Sequence, residues 1–232
     1  MTGPVLTIIQ NDPAVPAGTY DDRPRELGID VRTVTPYTGA PLPSPNELRA
    51  VIVLGGPMGV HDDAHHPFIG PVKRFIRSCV TEGTPFLGIC LGGQLLSHVL
   101  GGVVTPAARG EKGTTTVTLT DEGVADPLFR GISRTFTTFQ WHNDSFTVPP
   151  RAVHLAGSHA CKGQAFRYGG TAWGLQFHPE VTADMVREWS IWTPETASRT
   201  EQFLADFRNA RTAYRDASLK ILDNFLRIAD LI

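Results

Sequence analysis

Cysteines, long apolar runs and a basic leader are scarce or missing in this sequence. The 232 residues include 3 cysteines, Cys79, Cys90 and Cys161, and their irregular spacing fits neither a disulfide framework nor a CxxC metal site. No apolar stretch approaches the roughly 20 residues of a membrane-spanning helix. The first residues, MTGPVLTIIQNDP, lack the basic start and long apolar segment of a signal peptide. We therefore expect a cytoplasmic protein without a metal site or a membrane segment.

A strong excess of charge of either sign is also absent. The chain has 21 Lys and Arg residues against 23 Asp and Glu residues, a formal net charge of −2. This balance provides no attraction to nucleic acid or to an acidic membrane surface, so we expect neither as a partner. Hydrophobic residues make up 41% and charged residues 19% of the chain, as in an ordinary globular protein.

Apolar strands alternate with helical segments in the first part of the chain. The runs VLTII (5–9), VRTVT (31–35) and AVIVL (50–54) are β-branched, whereas residues 67–82 place apolar side chains at helical intervals. After Gly102 come short β-rich runs separated by turns: TTTVTLT, TFTTFQW, AVHLAGS, GQAFRYG and TAWGLQFH. We expect an α/β fold in which a mostly parallel sheet has helices on both faces and is extended by antiparallel or mixed strands.

The C-terminal segment has the pattern of amphipathic helices. One straight helix over residues 199–232 would be about 50 Å long at about 1.5 Å per residue. The segment therefore either breaks in two and packs on the core or projects toward a partner, and Ser198 with Glu201 suggests a capping box. We expect residues 191–232 to be a helical extension of the domain formed by residues 1–190. Its apolar stripe contains Phe203, Phe207, Ala210, Tyr214, Ala217, Ile221, Phe225, Ile228 and Ile232.

Cys90 occupies the joint between an apolar strand and a helical pattern, in the string G-I-C-L-G. This pattern is typical of a nucleophile on a sharp strand-to-helix turn, where small flanking residues let the backbone fold tightly. The helix N-terminus favours the negative charge of a thiolate, and the N–H of Leu91 points toward an oxyanion formed at the attacked carbon. The alternative is a buried structural cysteine in a βα turn.

The string FHPE supplies a base and a group to orient it. His178 and Glu180 are two residues apart, so in an extended chain their side chains face the same side, and Pro179 favours that conformation. Glu180 can then bind one imidazole nitrogen while the other faces Cys90. Read alone, the string could also be a surface turn.

A glycine-rich loop, VLGGPMG (53–59), follows the third apolar strand. It is expected at the carboxyl ends of the parallel strands, the same end as Cys90. Glycine allows a backbone N–H to turn inward, so we expect the second oxyanion donor at Gly56. A phosphate cradle is the competing interpretation, but neither GxGxxG nor GxxxxGK[ST] is present.

Together the cysteine elbow, the GGP loop and the HPE string resemble the class I, or triad-type, glutamine amidotransferases over about residues 5–185. Free-standing proteins similar to the glutaminase domain of GMP synthase share QWHNDSF (140–146) and QAFRYGGTAWGLQFHPE (164–180) in recognisable form. The resemblance implies that Cys90 attacks the γ-carboxamide of glutamine, that His178 protonates the departing ammonia, and that water hydrolyses the thioester. It also implies that Gln94 and the backbone of Asn143 and Asp144 bind the α-groups of glutamine.

The resemblance implies no cofactor, and it leaves the ammonia acceptor open. One interpretation is an amidotransferase that supplies ammonia to a separate synthetase or ligase subunit. A second is a stand-alone hydrolase of small γ-glutamyl conjugates, and a third is a binding protein that kept the fold without turnover. A homo-oligomer is compatible with each of them.

Other polar residues are assigned structural roles. The string HDDAHH (61–66) resembles a set of metal ligands, but we expect Asp62 or Asp63 to cap the helix near Pro67. Cys79 lies on the apolar stripe of that helix and is expected in the core. His142 either lines the pocket or supports the neighbouring loop.

Overall fold

The computed structural model of the protein describes residues 5–108 and 110–232, and the elements below are those of the described residues. The strands are β1 (Val5–Ile9), β2 (Asp30–Val34), β3 (Ala50–Val53), β4 (Phe86–Ile89), β5 (Val104–Thr105), β6 (Glu111–Leu119), β7 (Thr135–His142), β8 (Ser145–Phe146), β9 (Val153–Gly157), β10 (Ala165–Tyr168) and β11 (Ala172–Leu175). The helices are α1 (Thr19–Glu26), α2 (Ile69–Glu82), α3 (Leu91–Val99), α4 (Asp121–Ala125), α5 (Ala183–Ser190), α6 (Pro194–Ala197), α7 (Thr200–Asn209) and α8 (Arg211–Ile228).

The main sheet has the strand order β2-β1-β3-β4-β11-β10-β9-β6-β7. The strands from β2 to β11 in this order pair in parallel, whereas β10, β9, β6 and β7 continue the sheet by antiparallel pairing. Strands β5 and β8 form a separate antiparallel pair. The predicted α/β architecture, a parallel sheet extended by antiparallel strands, is confirmed.

Two layers of helices cover the two faces of the sheet. Along β3, Ala50 and Ile52 face one hydrophobic core and Val51 and Val53 face the other, as the alternation of side chains along a strand requires. Helices α2 and α3 pack on one face, and Cys79 of α2 is fully buried there, as predicted. Helix α8 packs on the opposite face.

The C-terminal segment breaks into α7 and α8 at Ala210, and both helices pack on the protein. Helix α8 buries its apolar stripe against the sheet, because residues such as Ile221, Leu222 and Phe225 belong to the same core as the central strands. The predicted capping box is wrong: Ser198 lies at the end of α6 and donates to the Glu195 carbonyl. The proposed division near residue 190 stays a prediction.

None of the described helices is both long enough and apolar enough to cross a bilayer.

Candidate active site

Cys90 lies on a strained turn between β4 and α3. Its backbone has φ 49° and ψ −108°, a conformation that residues other than glycine seldom adopt and that often marks a functional site. The flanking glycines make this turn feasible. A Cβ added at Gly92 would lie 2.1 Å from the Val53 carbonyl oxygen, and one added at Gly88 would lie 2.5 Å from that of Gly92. Helix α3 therefore approaches the sheet more closely than any side chain would permit.

His178 and Glu180 follow β11 and form a buried pair. The segment is anchored to β7, because the N–H of His178 donates to the Phe139 carbonyl at 2.8 Å. His178 Nδ1 lies 2.7 Å from Glu180 Oε1, and the two side chains are 3% and 0% exposed. Since a carboxylate only accepts, Nδ1 carries the proton, and the other ring nitrogen is free to interact with Cys90.

The charges around His178 favour its protonated form. Burial on its own lowers the pKa of His178, but the negative charges of Glu180 and then Cys90, with hydrogen bonds to both, outweigh burial and raise this pKa to about 10. At neutral pH an imidazolium therefore faces the sulfur of Cys90. This is the arrangement expected of a thiolate nucleophile with a proton donor beside it.

The glycine-rich loop after β3 passes directly beside Cys90 and His178. A Cβ at Gly55 would lie 3.0 Å from His178 Cε1 and 3.4 Å from Cys90 Cβ. Gly56 lines the cleft above Cys90, and Leu91 is the first residue of α3, whose N-terminal N–H groups have no partner within the helix. The structure thus places Gly56 next to Leu91, since a Cβ added at Gly56 would lie 3.0 Å from Leu91 Cδ2, and the role of both as oxyanion donors stays a prediction.

The HDDAHH segment supports the glycine loop and does not cap a helix as predicted. Asp62 Oδ2 accepts a hydrogen bond from the N–H of Gly59 at 2.6 Å, and Asp63 pairs with Lys73 at 2.6 Å. Helix α2 begins at Ile69 without a side-chain cap. Asp62 therefore ties the loop to the 3₁₀ turn of residues 62–64, and Asp63 ties that turn to α2.

A chain of amides connects Cys90 to the loop after β7. Gln176 Nε2 donates to Cys90 Sγ at 3.8 Å, and Gln94 Nε2 donates to Gln176 Oε1 at 3.4 Å and to the Asp144 carbonyl at 3.2 Å. His142 Nδ1 donates to that same carbonyl at 2.9 Å, so His142 both lines the cleft and supports the loop. Sequence reasoning missed Gln176, although a continuation of the preceding strand in extended form would place it on the same side as His178, two residues later.

The cleft in front of Cys90 has a cavity volume of about 160 Å³, smaller than the roughly 300–1,000 Å³ typical of pockets for drug-sized ligands, so it suits a small substrate group. It is polar on the side of the β7 loop and is closed at its rim by the segment that follows α5. The structure brings the predicted substrate residues Gln94, Asn143 and Asp144 together in its wall. The lining residues are Gly56, Pro57, Met58, Cys90, Gln94, Lys112, Trp141, His142, Asn143, Asp144, Trp192, Thr193 and Thr196.

The backbone of the HPE segment (178–180) is held by hydrogen bonds from residues that are far away in the sequence. Its three carbonyls accept, in order, from Tyr214 Oη at 3.1 Å, from Ser218 Oγ, and from the N–H of Thr19 at 3.0 Å. Tyr214 and Ser218 are one helical turn apart on α8. Helix α8 therefore positions the candidate base, a contribution that the sequence pattern had not indicated.

Comparison with known proteins identifies the family. Residues 21–187 match the model of the glutamine amidotransferase class-I family. The chain is 31% identical to the glutamine amidotransferase-like protein YfeJ of Salmonella typhimurium, over 73% of each chain. It is 34% identical to one subunit of the glutamine-hydrolysing GMP synthase of Saccharolobus solfataricus, over 67% of this chain and 78% of its relative.

A solved structure extends the likeness to the C-terminal helices. The crystal structure of a glutamine amidotransferase from Thermotoga maritima superimposes with a TM-score of 0.87 at 28% identity, covering 99% of this chain and 100% of that one. With the family model matching most of the sequence, this protein belongs to the class I glutamine amidotransferases.

Proposed function

We propose that this protein hydrolyses the γ-amide of glutamine through a γ-glutamyl thioester. Cys90 is the nucleophile, His178 is the general acid and base, and Glu180 orients and polarises the imidazole. The observation that carries the proposal is the strained turn that presents Cys90 to the buried His178–Glu180 pair at the base of an open cleft. Strained backbone, a matched base and a cleft coincide at one place.

The reaction follows from these positions. The Cys90 thiolate attacks the γ-carbonyl carbon, and the N–H groups of Gly56 and Leu91 stabilise the negative charge that develops on the oxygen. His178 transfers its proton to the amide nitrogen, and the C–N bond breaks. Ammonia departs, and a γ-glutamyl thioester remains on Cys90. Water then gives a proton to His178 as it attacks, and glutamate leaves as the thiolate is restored. The steps change no oxidation state and need no cofactor.

The α-groups of glutamine are bound by the wall that α3 and the loop after β7 form. We assign this role to Gln94 and to the backbone of Asn143 and Asp144, which line the same cleft as Cys90. The amide chain from Gln94 through Gln176 to Cys90 connects this subsite to the nucleophile. Substrate binding and thiolate orientation are therefore coupled through neighbouring side chains.

The ammonia acceptor in this proposal is a separate synthetase or ligase subunit. One of the relatives is named as one subunit of a glutamine-hydrolysing GMP synthase, which is consistent with a glutaminase working beside a synthetase. Such an enzyme avoids wasting glutamine if it stays slow until its partner binds.

A second candidate is a stand-alone hydrolase of small γ-glutamyl conjugates. The rim of the cleft is favourable for it, because Trp192, Thr193 and Thr196 extend the wall beyond the nucleophile, and Trp192 is 41% exposed there. An exposed indole beside a cleft suits a leaving group larger than ammonia. The triad chemistry is the same for both candidates.

The test is labelling and turnover with purified protein. A glutamine-analogue electrophile should modify Cys90, detected by mass spectrometry, and Cys90→Ala should abolish both labelling and release of glutamate. Cys161→Ala is the matched control, because this buried cysteine lies outside the cleft. Glutamine and a panel of γ-glutamyl dipeptides are compared without a partner. Slow glutamine hydrolysis supports the amidotransferase, and cleavage of a dipeptide orders of magnitude faster supports the hydrolase. If Cys90 is not labelled and no substrate is turned over, the interpretation as a binding protein is supported.

A further inference from the structure

Lys112 places an ammonium group in the wall of the cleft. It lies in β6 directly opposite Trp141 of β7, and its Nζ is 5.6 Å from the centre of the indole ring. Nζ donates to Asn143 Oδ1 at 2.6 Å. The side chain is therefore held by a neutral acceptor and by an aromatic face on the wall that also carries the proposed α-group contacts.

The positive charge of Lys112 has no carboxylate partner within 4 Å among the described residues. Partial burial lowers the pKa of Lys112 below its ordinary value. The negative charges of Glu195 and Cys90 oppose this lowering without reversing it. The carboxylate of Asp144, although it lines the same cleft, accepts from the N–H of Ala107 at 3.0 Å. Lys112 is thus the single permanent cation among the described residues of the cleft wall.

An ammonium group has three donors, and Asn143 uses one of them. The remaining two are available to an anion in the cleft. The contacts with Trp141 and Asn143 hold Nζ at the cleft, where its charge attracts such an anion.

We propose that Lys112 recognises a carboxylate of the substrate. The inference rests on the proposed function, in that the cleft binds γ-glutamyl amides. Two carboxylates have the required chemistry: the α-carboxylate of the γ-glutamyl unit and a carboxylate on the group that leaves. Lys112 thereby selects acidic γ-glutamyl substrates over those whose carboxylate has been blocked.

The experiment measures binding in a protein that cannot turn over. Calorimetric Kd values are determined for Cys90→Ala with and without Lys112→Met, using two matched ligand pairs. One pair is glutamine and its α-carboxamide; the other is γ-glutamylglycine and γ-glutamylglycinamide. The recognised carboxylate should contribute about tenfold or more in affinity when Lys112 is present and nearly nothing when it is replaced. The double-mutant comparison separates this contact from other effects of amidation.

Each outcome decides the proposal. A Lys112-dependent difference in the first pair assigns the α-carboxylate, and one in the second pair assigns the leaving group. Equal ratios with and without Lys112→Met in both pairs overturn the proposal, as does the absence of binding by any ligand. Lys112→Arg should keep most of the discrimination, and Lys220→Met, on the exposed side of α8, should change nothing.

Failure here is distinguishable from failure of the proposed function. Binding is read without catalysis, whereas the function is tested by turnover and Cys90 labelling in the unmodified protein. Active protein with Lys112-independent binding refutes the carboxylate contact alone. Inactive protein with Lys112-dependent binding refutes the hydrolysis alone.

Discussion

Replacing Glu180 by glutamine removes one negative charge from a fully buried pair and leaves the shape nearly unchanged. In the native protein the carboxylate lies 2.7 Å from His178 Nδ1 and, after the opposing effect of burial, is the largest influence on the pKa of this imidazole. In Glu180→Gln only Cys90 remains to oppose burial. We expect the pKa of His178 to fall from about 10 toward or below its ordinary value of 6.5.

The size of the effect on stability follows from the same values. A rise in pKa from 6.5 to about 10 corresponds to roughly 5 kcal/mol of preference for the imidazolium in the folded state. Because this pKa is raised, the stabilisation is complete below pH 6.5 and is lost as the pH rises through about 10. The free energy of unfolding should therefore fall over this interval by several kcal/mol, and much less in Glu180→Gln.

The assay combines histidine side-chain NMR titration with urea unfolding at several pH values. Glu201→Gln, at a side chain that is 81% exposed, is the matched control for loss of a surface carboxylate. Titration of His178 near pH 6.5 in the native protein, or identical curves in the two proteins, would refute the electrostatic argument.

Catalysis gives a second measure of the same pair. Glutamate orients the base without accepting its proton, so Glu180→Gln should lower kcat by about 10⁴-fold, whereas His178→Ala should lower it by about 10⁶-fold. The order of the two effects is the informative result. Native rates in both variants would remove the pair from the mechanism.

Three further substitutions test the surroundings of the site. Tyr214→Phe leaves the buried carbonyl of His178 without its hydroxyl donor, so it should destabilise the fold by roughly 1–3 kcal/mol and lower kcat more than it changes KM. The control is Tyr168→Phe, which loses a peripheral hydroxyl contact. Both variants are measured by urea unfolding and by kinetics. Gly55→Ala should displace the catalytic pair by a few tenths of an ångström and reduce kcat about tenfold, whereas Gly170→Ala, with no atom within 4 Å of the added Cβ, should be neutral. Gly56→Pro removes a predicted oxyanion donor and should reduce kcat by about 10²- to 10³-fold.

Each of these has a contrary result. A Tyr214→Phe protein with native stability and kcat would show that the α8 contact does not position the base. Full activity in Gly55→Ala would mean that the loop adjusts without moving the pair. Full activity in Gly56→Pro would mean that the oxyanion is stabilised elsewhere.

Much of the fold and the centre of the site could be predicted because the relevant signals are short. Apolar strands, helical spacing and the glycines around Cys90 act over a few residues, and the HPE string brings base and orienting group together by its own geometry. The failures are also local. Ser198 and Asp62 are residue types that commonly cap helices. In the structure Thr193 caps α6, and the Asp62 carboxylate accepts a hydrogen bond from the N–H of Gly59. Several polar side chains compete for each exposed N–H, and tertiary packing decides among them.

The contacts that could not be predicted join distant parts of the chain. Gln176 is 86 residues from Cys90, and Tyr214 is 36 residues from His178. Both side chains have ordinary structural interpretations in the sequence, as a strand-end amide and as a member of an apolar helical stripe. Their roles depend on which strand becomes the neighbour of β4 and on where α8 crosses the sheet, and periodicity alone specifies neither.

The position of these contacts relative to the family match indicates where a substrate preference would be set. The family match ends at residue 187, and it includes Cys90, His178 and the glycine loop. The rim residues Trp192 and Thr196, and the clamp from Tyr214, come from the segment beyond that point. The residues of the proposed chemistry thus lie within the part that matches the family model, whereas part of the proposed leaving-group wall lies beyond it. We therefore expect substitutions at Trp192 to alter the preference among γ-glutamyl substrates while leaving the rate of Cys90 labelling by a small electrophile nearly unchanged. If the substrate preference and the rate of Cys90 labelling changed equally, Trp192 would instead help to position Cys90, His178 and Glu180.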